Sequence, residues 1–589
     1  GDLSATCRIV MEGINDNVYR GMLLRRSPKQ RQEFFEAVLK GQFPGSKLLR
    51  FDILPADLQD TELPLEFHLS FEAEEILHTN ERTAMFKMPR LGAGFGYVNF
   101  VLGEAGLEKR RFPFVNDLTC GVVEESSIEI PEKWNQPLSV PVYDTIEDEN
   151  LHWSRQLRLQ AGTLQQNSEF SIRGVEFSPQ QYLRLKQALR NIEVNSRKQV
   201  ILTEQESDAQ VPAKSQDAGA MEEGAECLIL SEQFNYRLDN QHNWSLQEKR
   251  QKKILSYKGM KDNSELQFDY NPAWEDVKLD YALVRNGDQE QRISEAEINL
   301  MDAPWVGAAP RHPAGKTLVA SLPGVQIGSI IEYQVTRSYR GWPYFYVMCS
   351  FQSQDAIVRR ELSIDCPDSL RLQSKLFPNG CLNFKKRNSG NLVKYQRIDD
   401  KQRQIHHWSV DNQPPHSRER GLPPPHAYLP TVVAWSGSWK EYTEQLLRSF
   451  DFAGQGGKSI NELLQALQQI KEDTRLLSLR NHIERGVRRA GPYFTRLPRY
   501  CLTPAETTYK EAYGNSADRA ALYYALLKEL GYEPELLLVS GAAELQSLQK
   551  FMQSFPAPDF FPEVLVRVQD KQGEFWFNDQ DQYSHLGSC

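Results

Sequence analysis

The stretch from Tyr513 to Gly531 constrains this chain more than any other. Tyr513-Gly514-Asn515 reads as a tight loop, and Ser516 as a helix N-cap whose hydroxyl accepts from an otherwise orphan backbone N–H. Ala520, Tyr524 and Leu527 recur at helical spacing, and Gly531 stands where a helix C′ glycine belongs. The spacing predicts an amphipathic helix that opens at Ser516 and is closed by Gly531. Asp518, in its first turn, complements the helix dipole. The same dipole would favour a nucleophile or a bound carboxylate at the helix start.

The rest of the chain divides around this element. At 589 residues it is too long for a single core. Residues 204–225 are acidic, rich in small residues and free of aromatics, which marks a linker. Residues 1–203 read as a β-rich domain with two helices. One spans Pro28 to Lys40, and the other has Ser178 as N-cap and Pro179 at N1 and runs to Ile192. Residues 226–430 read as a β-sandwich of short strands. Tyr281-Ala282-Leu283-Val284 runs into the turn signal Asn286-Gly287, and Ile330 to Val335 alternates as a strand. Alternation places Glu332 on a solvated face. Residues 431–589 begin with helices. Ser459 and Glu462 form a capping box for the first, and a second follows from Thr474 to Arg489. Beyond Gly531 come a buried strand, Glu535–Val539, and a hairpin of Val564–Val568 with Glu574–Asn578 around Gln572-Gly573.

Composition excludes several classes. A net charge of −9 gives no electrostatic case for nucleic acid or an anionic membrane. No apolar run reaches the ~20 residues needed to cross a bilayer. The start at Gly1, without methionine, suggests a processed or trimmed piece. The eight cysteines are dispersed, without a CxxC or a zinc-type Cys/His cluster, so neither metal nor cofactor is expected. They read as buried thiols, with Cys366 and Cys381 the nearest pair for a disulfide. His406 and His407 are adjacent on a strand and point to opposite faces, which argues against a shared ion.

Gly514-Asn515-Ser516-Ala517-Asp518 and its Ala/Leu-rich helix resemble the nucleophile helix of the transglutaminase-like superfamily, whose fold is papain-like. The family pattern is Gly, Asp or Asn, Cys, any residue, Asp, and the cysteine place here holds Ser516. The run Leu322-Pro323-Gly324-Val325, with Gly328 and Ile331-Glu332-Tyr333, resembles the β-sandwich module of unknown function that precedes bacterial transglutaminase-like cores. The helix containing Tyr182 and the strands before it resemble the β-sandwich module that follows such cores. The resemblance implies a multidomain protein, mainly β plus α+β. Two β-sandwich-like domains would accompany a C-terminal transglutaminase-like domain.

Papain-like transfer needs a thiolate, an imidazole to hold it as an ion pair, and a carboxylate or amide to orient the imidazole. Carried over by position, Ser516 takes the cysteine place, Glu563 the histidine place, and Asn578 or Asp579 the orienting place. A serine hydroxyl needs a base, and a carboxylate at an ordinary pKa is a weak one. His585 is a rescue candidate, giving Ser516/His585 with Asp579 or Asp581, and Cys501 is a second. The resulting expectation is a degenerate, non-catalytic protein in an extracytoplasmic bacterial setting. It would bind a peptide, a protein or a cell-envelope polymer. One rival is an active hydrolase, peptidase or acyl-transferase using Ser516. Another is a scaffold in which the β modules do the work. A hydrogen bond from Ser516 to His585 would favour the enzyme, and a Glu563 carboxylate facing Ser516 the binder.

Overall fold

The computed structural model describes every residue except 1, 75, 80–82, 89–90, 97–102, 104, 117, 135, 161, 204–225, 342–343, 383–390, 401, 417–418, 420, 498–501, 541–545, 572, 579–585 and 587–589. The proposed linker, Cys501, Asp579, Asp581 and His585 therefore lie outside the described residues. The chain forms two compact units. One comprises residues 1–219 with 419–423 and 581–589, and the other residues 220–418 with 424–580. The protein is multidomain, mainly β, with an α+β part at the end of the second unit.

In the first unit, strands Leu3–Met11, Leu65–Ala73 and Lys47–Leu54 form an antiparallel sheet. Helix Pro28–Gln42 starts at the capping box of Ser27 and Gln30, with Pro28 at N1, and buries Phe35 and Leu39. A helix not read from the sequence, Ile14–Leu24, precedes it. Its N-cap, Gly13, supplies no side-chain cap, so the usual start signal is missing. Phe35, Phe67, Leu69 and Leu23 meet in one core. Strands Cys120–Glu129, Thr163–Ile172, Leu151–Gln160 and Ile146–Asp148 form a second antiparallel sheet. Ser178 caps helix Pro179–Ser196 as expected.

The second unit is built on an eight-stranded sheet. Its order is Gln289–Arg292, Glu275–Asn286, Ile330–Tyr339, Trp244–Ile254, Cys227–Leu238, Ala356–Pro367, Arg403–Gln413, Lys394–Asp400. The pairing of Cys227–Leu238 with Ala356–Pro367 is parallel. Asn286-Gly287 makes the expected hairpin, with Asn286 opposite Gln289 and Gly287 at φ 60. Strand Tyr346–Ser350 stands at one edge of a three-stranded sheet with Thr431–Trp435 and Gln373–Phe377. Leu238, Leu362, Trp408 and Val432 share the core between these layers.

Two expectations about this region are corrected, for Glu332 and for Ser459. Glu332 is not solvated: it is 8% exposed, accepts from Tyr281 Oη at 2.8 Å and lies 3.2 Å from Arg285 and 3.3 Å from Lys249. Alternation placed it on a polar face, but that face is covered by its own charged neighbours. Cys366 and Cys381 are free thiols, as the reading of dispersed thiols has it, Cys366 being buried in the core of the sandwich. Ser459 is not a helix cap. Helix Lys458–Gln468 starts at Gly457, and its Ser459 and Ile460 N–H groups are bound at 3.1 and 3.0 Å by Glu506 from a neighbouring helix.

After helices Trp439–Ala453, Lys458–Gln468 and Glu472–Gly486 comes the central helix, Ser516–Glu529. Gly531 closes it at φ 89, and Tyr532 N donates back to Leu527 O at 3.0 Å, the return bond expected of a C′ glycine. Strands Glu535–Val539, Glu563–Asp570 and Gly573–Phe577 complete an antiparallel sheet against it. Central helix followed by antiparallel strands is the order of a papain-like core.

Candidate functional site at the start of the central helix

The central helix is not amphipathic: eleven of its fourteen residues are buried. Nor is Ser516 its cap. Asn515 caps it, accepting from Asp518 N at 3.0 Å, while the Asp518 carboxylate accepts from Asn515 N at 3.3 Å. This reciprocal pair uses the two side chains that flank Ser516 and Ala517, which moves Ser516 one place into the helix. Gly514 fits only as glycine, because a Cβ there would stand 2.8 Å from Asp518 Cβ.

Ser516 is 5% exposed, and its hydroxyl accepts from Val564 N at 3.0 Å. Asn578 is buried in the left-handed region at φ 67. Its Nδ2 donates at 2.7 Å to both Ser516 O and Val564 O. Ser516 and Asn578 are therefore brought together, but as ties between the helix start and the Glu563–Asp570 strand. Glu563 is also buried, at 2% exposed, and its carboxylate pairs with Arg489. The second carboxylate oxygen has no hydrogen-bonding partner among the described residues. Asp579 and His585, outside the described residues, are not placed.

Several groups in this site were not found in the sequence. Arg519, 2% exposed, pairs with Glu484 and donates to Val487 O at 2.6 Å and Asn578 Oδ1 at 3.2 Å. A cation in the first turn of a helix opposes the dipole, and that mismatch was the signal that a buried partner exists. Glu484 also accepts from Tyr523 Oη at 2.7 Å. Burial, followed by the Glu484 charge, raises the Tyr523 phenol well above its ordinary pKa.

Asp518 does more than complement the dipole. It is fully buried and accepts from Thr503 N at 2.7 Å. Arg311 Nη2 and His312 Nε2 each stand 3.4 Å from its Oδ2. Arg311 also lies over the Tyr513 ring at 4.3 Å, donates from its side chain to Tyr513 O at 3.0 Å, and donates its backbone N–H to Tyr513 Oη at 2.8 Å. Arg311 and His312 precede the central helix by some two hundred residues and lie in an irregular segment between Pro310 and Pro313. No periodicity marks them.

His406 and His407 diverge as alternation requires. His406 Nδ1 meets Tyr395 Oη at 2.9 Å, and His407 Nδ1 meets Ser363 Oγ at 2.8 Å. No group of three or more potential metal ligands occurs among the described residues.

Residues 240–417 match a family described as a domain of unknown function with solved structure (DUF3857). No curated protein matches the chain. A solved candidate protease from Parabacteroides distasonis is similar at 16% identity and a TM-score of 0.52, over 62% of this chain and 71% of that one. That likeness shows the fold alone. An M1 zinc metallopeptidase from Deinococcus radiodurans (10% identity, TM-score 0.19, over 35% of this chain and 42% of that one) and a candidate nutrient-binding protein from Legionella pneumophila (12%, 0.17, 51% and 94%) superpose too poorly to carry any argument.

Proposed function

We propose that the C-terminal part is a degenerate transglutaminase-like domain that has kept its architecture and binds a peptide, a protein or a cell-envelope polymer without turning it over. The observation that carries this reading is the state of Ser516. The hydroxyl in the nucleophile place is buried and accepts a backbone N–H from Val564. An attacking hydroxyl needs instead a base that takes its proton. Glu563, in the histidine place, is held by Arg489, and Asn578, in the orienting place, spends its amide on two backbone carbonyls. Each of the three positions has a structural occupation in place of a step in acyl transfer. The same resemblance supports an extracytoplasmic bacterial setting. Among the described residues no helix is long and apolar enough to cross a membrane.

The test compares peptide hydrolysis and amine incorporation by the parent, Ser516→Ala, and the Ser516→Cys/Glu563→His pair. The expected result is no turnover by the parent or by Ser516→Ala, with turnover emerging in the pair. Parent turnover that disappears in Ser516→Ala would support the rival hydrolase or acyl-transferase and overturn this reading.

A further inference from the structure

The face of the eight-stranded sheet that packs on Val347 carries charge where a sandwich interior ordinarily carries aliphatic side chains. Glu232 is 2% exposed and Arg360 8%. Arg360 donates through Nε to Glu232 at 2.6 Å and through Nη1 to Ser350 O. Arg250 Nη1 stands 3.3 Å from the same carboxylate, and its Nε is 2.6 Å from Glu248. Taking such a cluster out of water is costly, and a well-packed apolar core would often be as stable. The cluster therefore calls for a reason other than stability.

Beside it lies a cavity of about 540 Å³. Small-molecule sites commonly span roughly 300–1,000 Å³, with mostly apolar walls and a few placed polar groups. This cavity fits that description: Phe234, Tyr236, Val347 and Leu362 supply apolar wall, and Arg250 and Arg360 are its charged lining residues. His416 also lines it, and among the described residues no Asp or Glu does. The two acids that orient the arginines are not among the lining residues. An arginine held by a carboxylate and offered to a cavity presents a fixed fork suited to a carboxylate. Arg250 is the accessible one, its side chain 34% exposed and its guanidinium 5.3 Å from the centre of the Phe234 ring.

We infer that this cavity in the β module is a binding site for an amphipathic monocarboxylate, its apolar part against Phe234, Tyr236, Val347 and Leu362 and its carboxylate on Arg250. The site is independent of the central helix and stands whether or not that helix start binds anything. The carboxylate could belong to an aliphatic acid or to the free C-terminus of an apolar peptide.

Calorimetric titration of the whole chain separates these sources. One arm uses decanoate against 1-decanol. The other uses acetyl-Val-Leu-Val-Leu with a free or an amidated C-terminus. Saturable one-to-one binding of at least one acid is expected, with its neutral counterpart about tenfold weaker or more, a loss typical of a charge-assisted hydrogen bond. Arg250→Gln should remove that difference, and Val347→Trp, which fills the cavity, should abolish binding, both in protein with an unchanged far-ultraviolet circular dichroism spectrum. The parent comparison needs no variant and holds even if Arg250→Gln does not fold. Absence of saturable binding by either acid, equal binding of acid and neutral partner, or an acid preference that survives in folded Arg250→Gln would overturn the proposal.

Discussion

Beside the Asp518 carboxylate, Arg519 sits in the helix turn that disfavours a cation, and only its buried partners make it tolerable there. Its guanidinium is shared among Glu484, Val487 O and Asn578. Asn578 in turn holds Ser516 O and Val564 O, from a backbone conformation that few residues other than glycine and asparagine adopt readily. Asn578→Ala should therefore destabilise the protein by on the order of 2 kcal/mol, since it leaves buried backbone carbonyls and part of a buried guanidinium unsatisfied. Ser516→Ala should cost about 1–3 kcal/mol for the orphaned Val564 N–H. Chemical denaturation measures both. An unchanged stability in Ser516→Ala would mean that its hydroxyl is not the tie described.

Between elements, caps decide how the helices pack. Glu506 binds the first-turn N–H groups of helix Lys458–Gln468, doing for a neighbour what Ser459 was expected to do for itself. A Cβ at Gly457 would stand 2.5 Å from the Glu506 carboxylate, so a side chain there would push that cap aside. Burial pushes the Glu506 carboxyl up, but Lys510 and the Ile460 and Ser459 N–H groups outweigh it and hold the pKa down at about 2. A carboxyl depressed in the folded state contributes stability above its unfolded pKa, and that contribution is lost as pH falls from there towards 2. Glu506→Gln should cost about 1 kcal/mol at neutral pH, as loss of a cap does, and flatten acid unfolding over that window. His426 shows a related sign. It stacks 5.1 Å from Phe551, and burial lowers its pKa to about 4. The unfolded chain thus binds the extra proton between about 6.5 and 4, so stability falls as pH drops through that range. His426→Phe should remove this slope, as measured by thermal unfolding at stepped pH.

Over the whole molecule, local chemistry was legible and long-range chemistry was not. Ser178-Pro179 announced its helix, Asn286-Gly287 its hairpin, and Gly531 its helix end, because each signal lies within a few residues of its effect. The neighbourhood of Ser516, Glu563 and Asn578 could be read from position in a resembled fold. The groups that complete it could not: Arg311, His312, Arg489 and Glu484 come from distant segments with no periodicity to mark them. Glu332 and Ser459 failed for the same reason, since a covering neighbour or a borrowed cap is a tertiary fact. Within the second unit, Arg311 joins the β module to the start of the central helix through Tyr513, Thr503 and Asp518. Arg311→Ala should accordingly split or broaden the calorimetric transition of this unit, whereas a single sharp transition shifted as a whole would show that the two parts are coupled elsewhere.

The central claim, that Ser516 is a structural hydroxyl and not a nucleophile, is tested most directly by active-site-directed labelling. A fluorophosphonate reacts with serines whose proton is taken by a neighbouring base. Incubation of the folded chain with such a probe, followed by peptide mass mapping, should leave Ser516 unmodified. Stoichiometric modification of Ser516 would contradict the account.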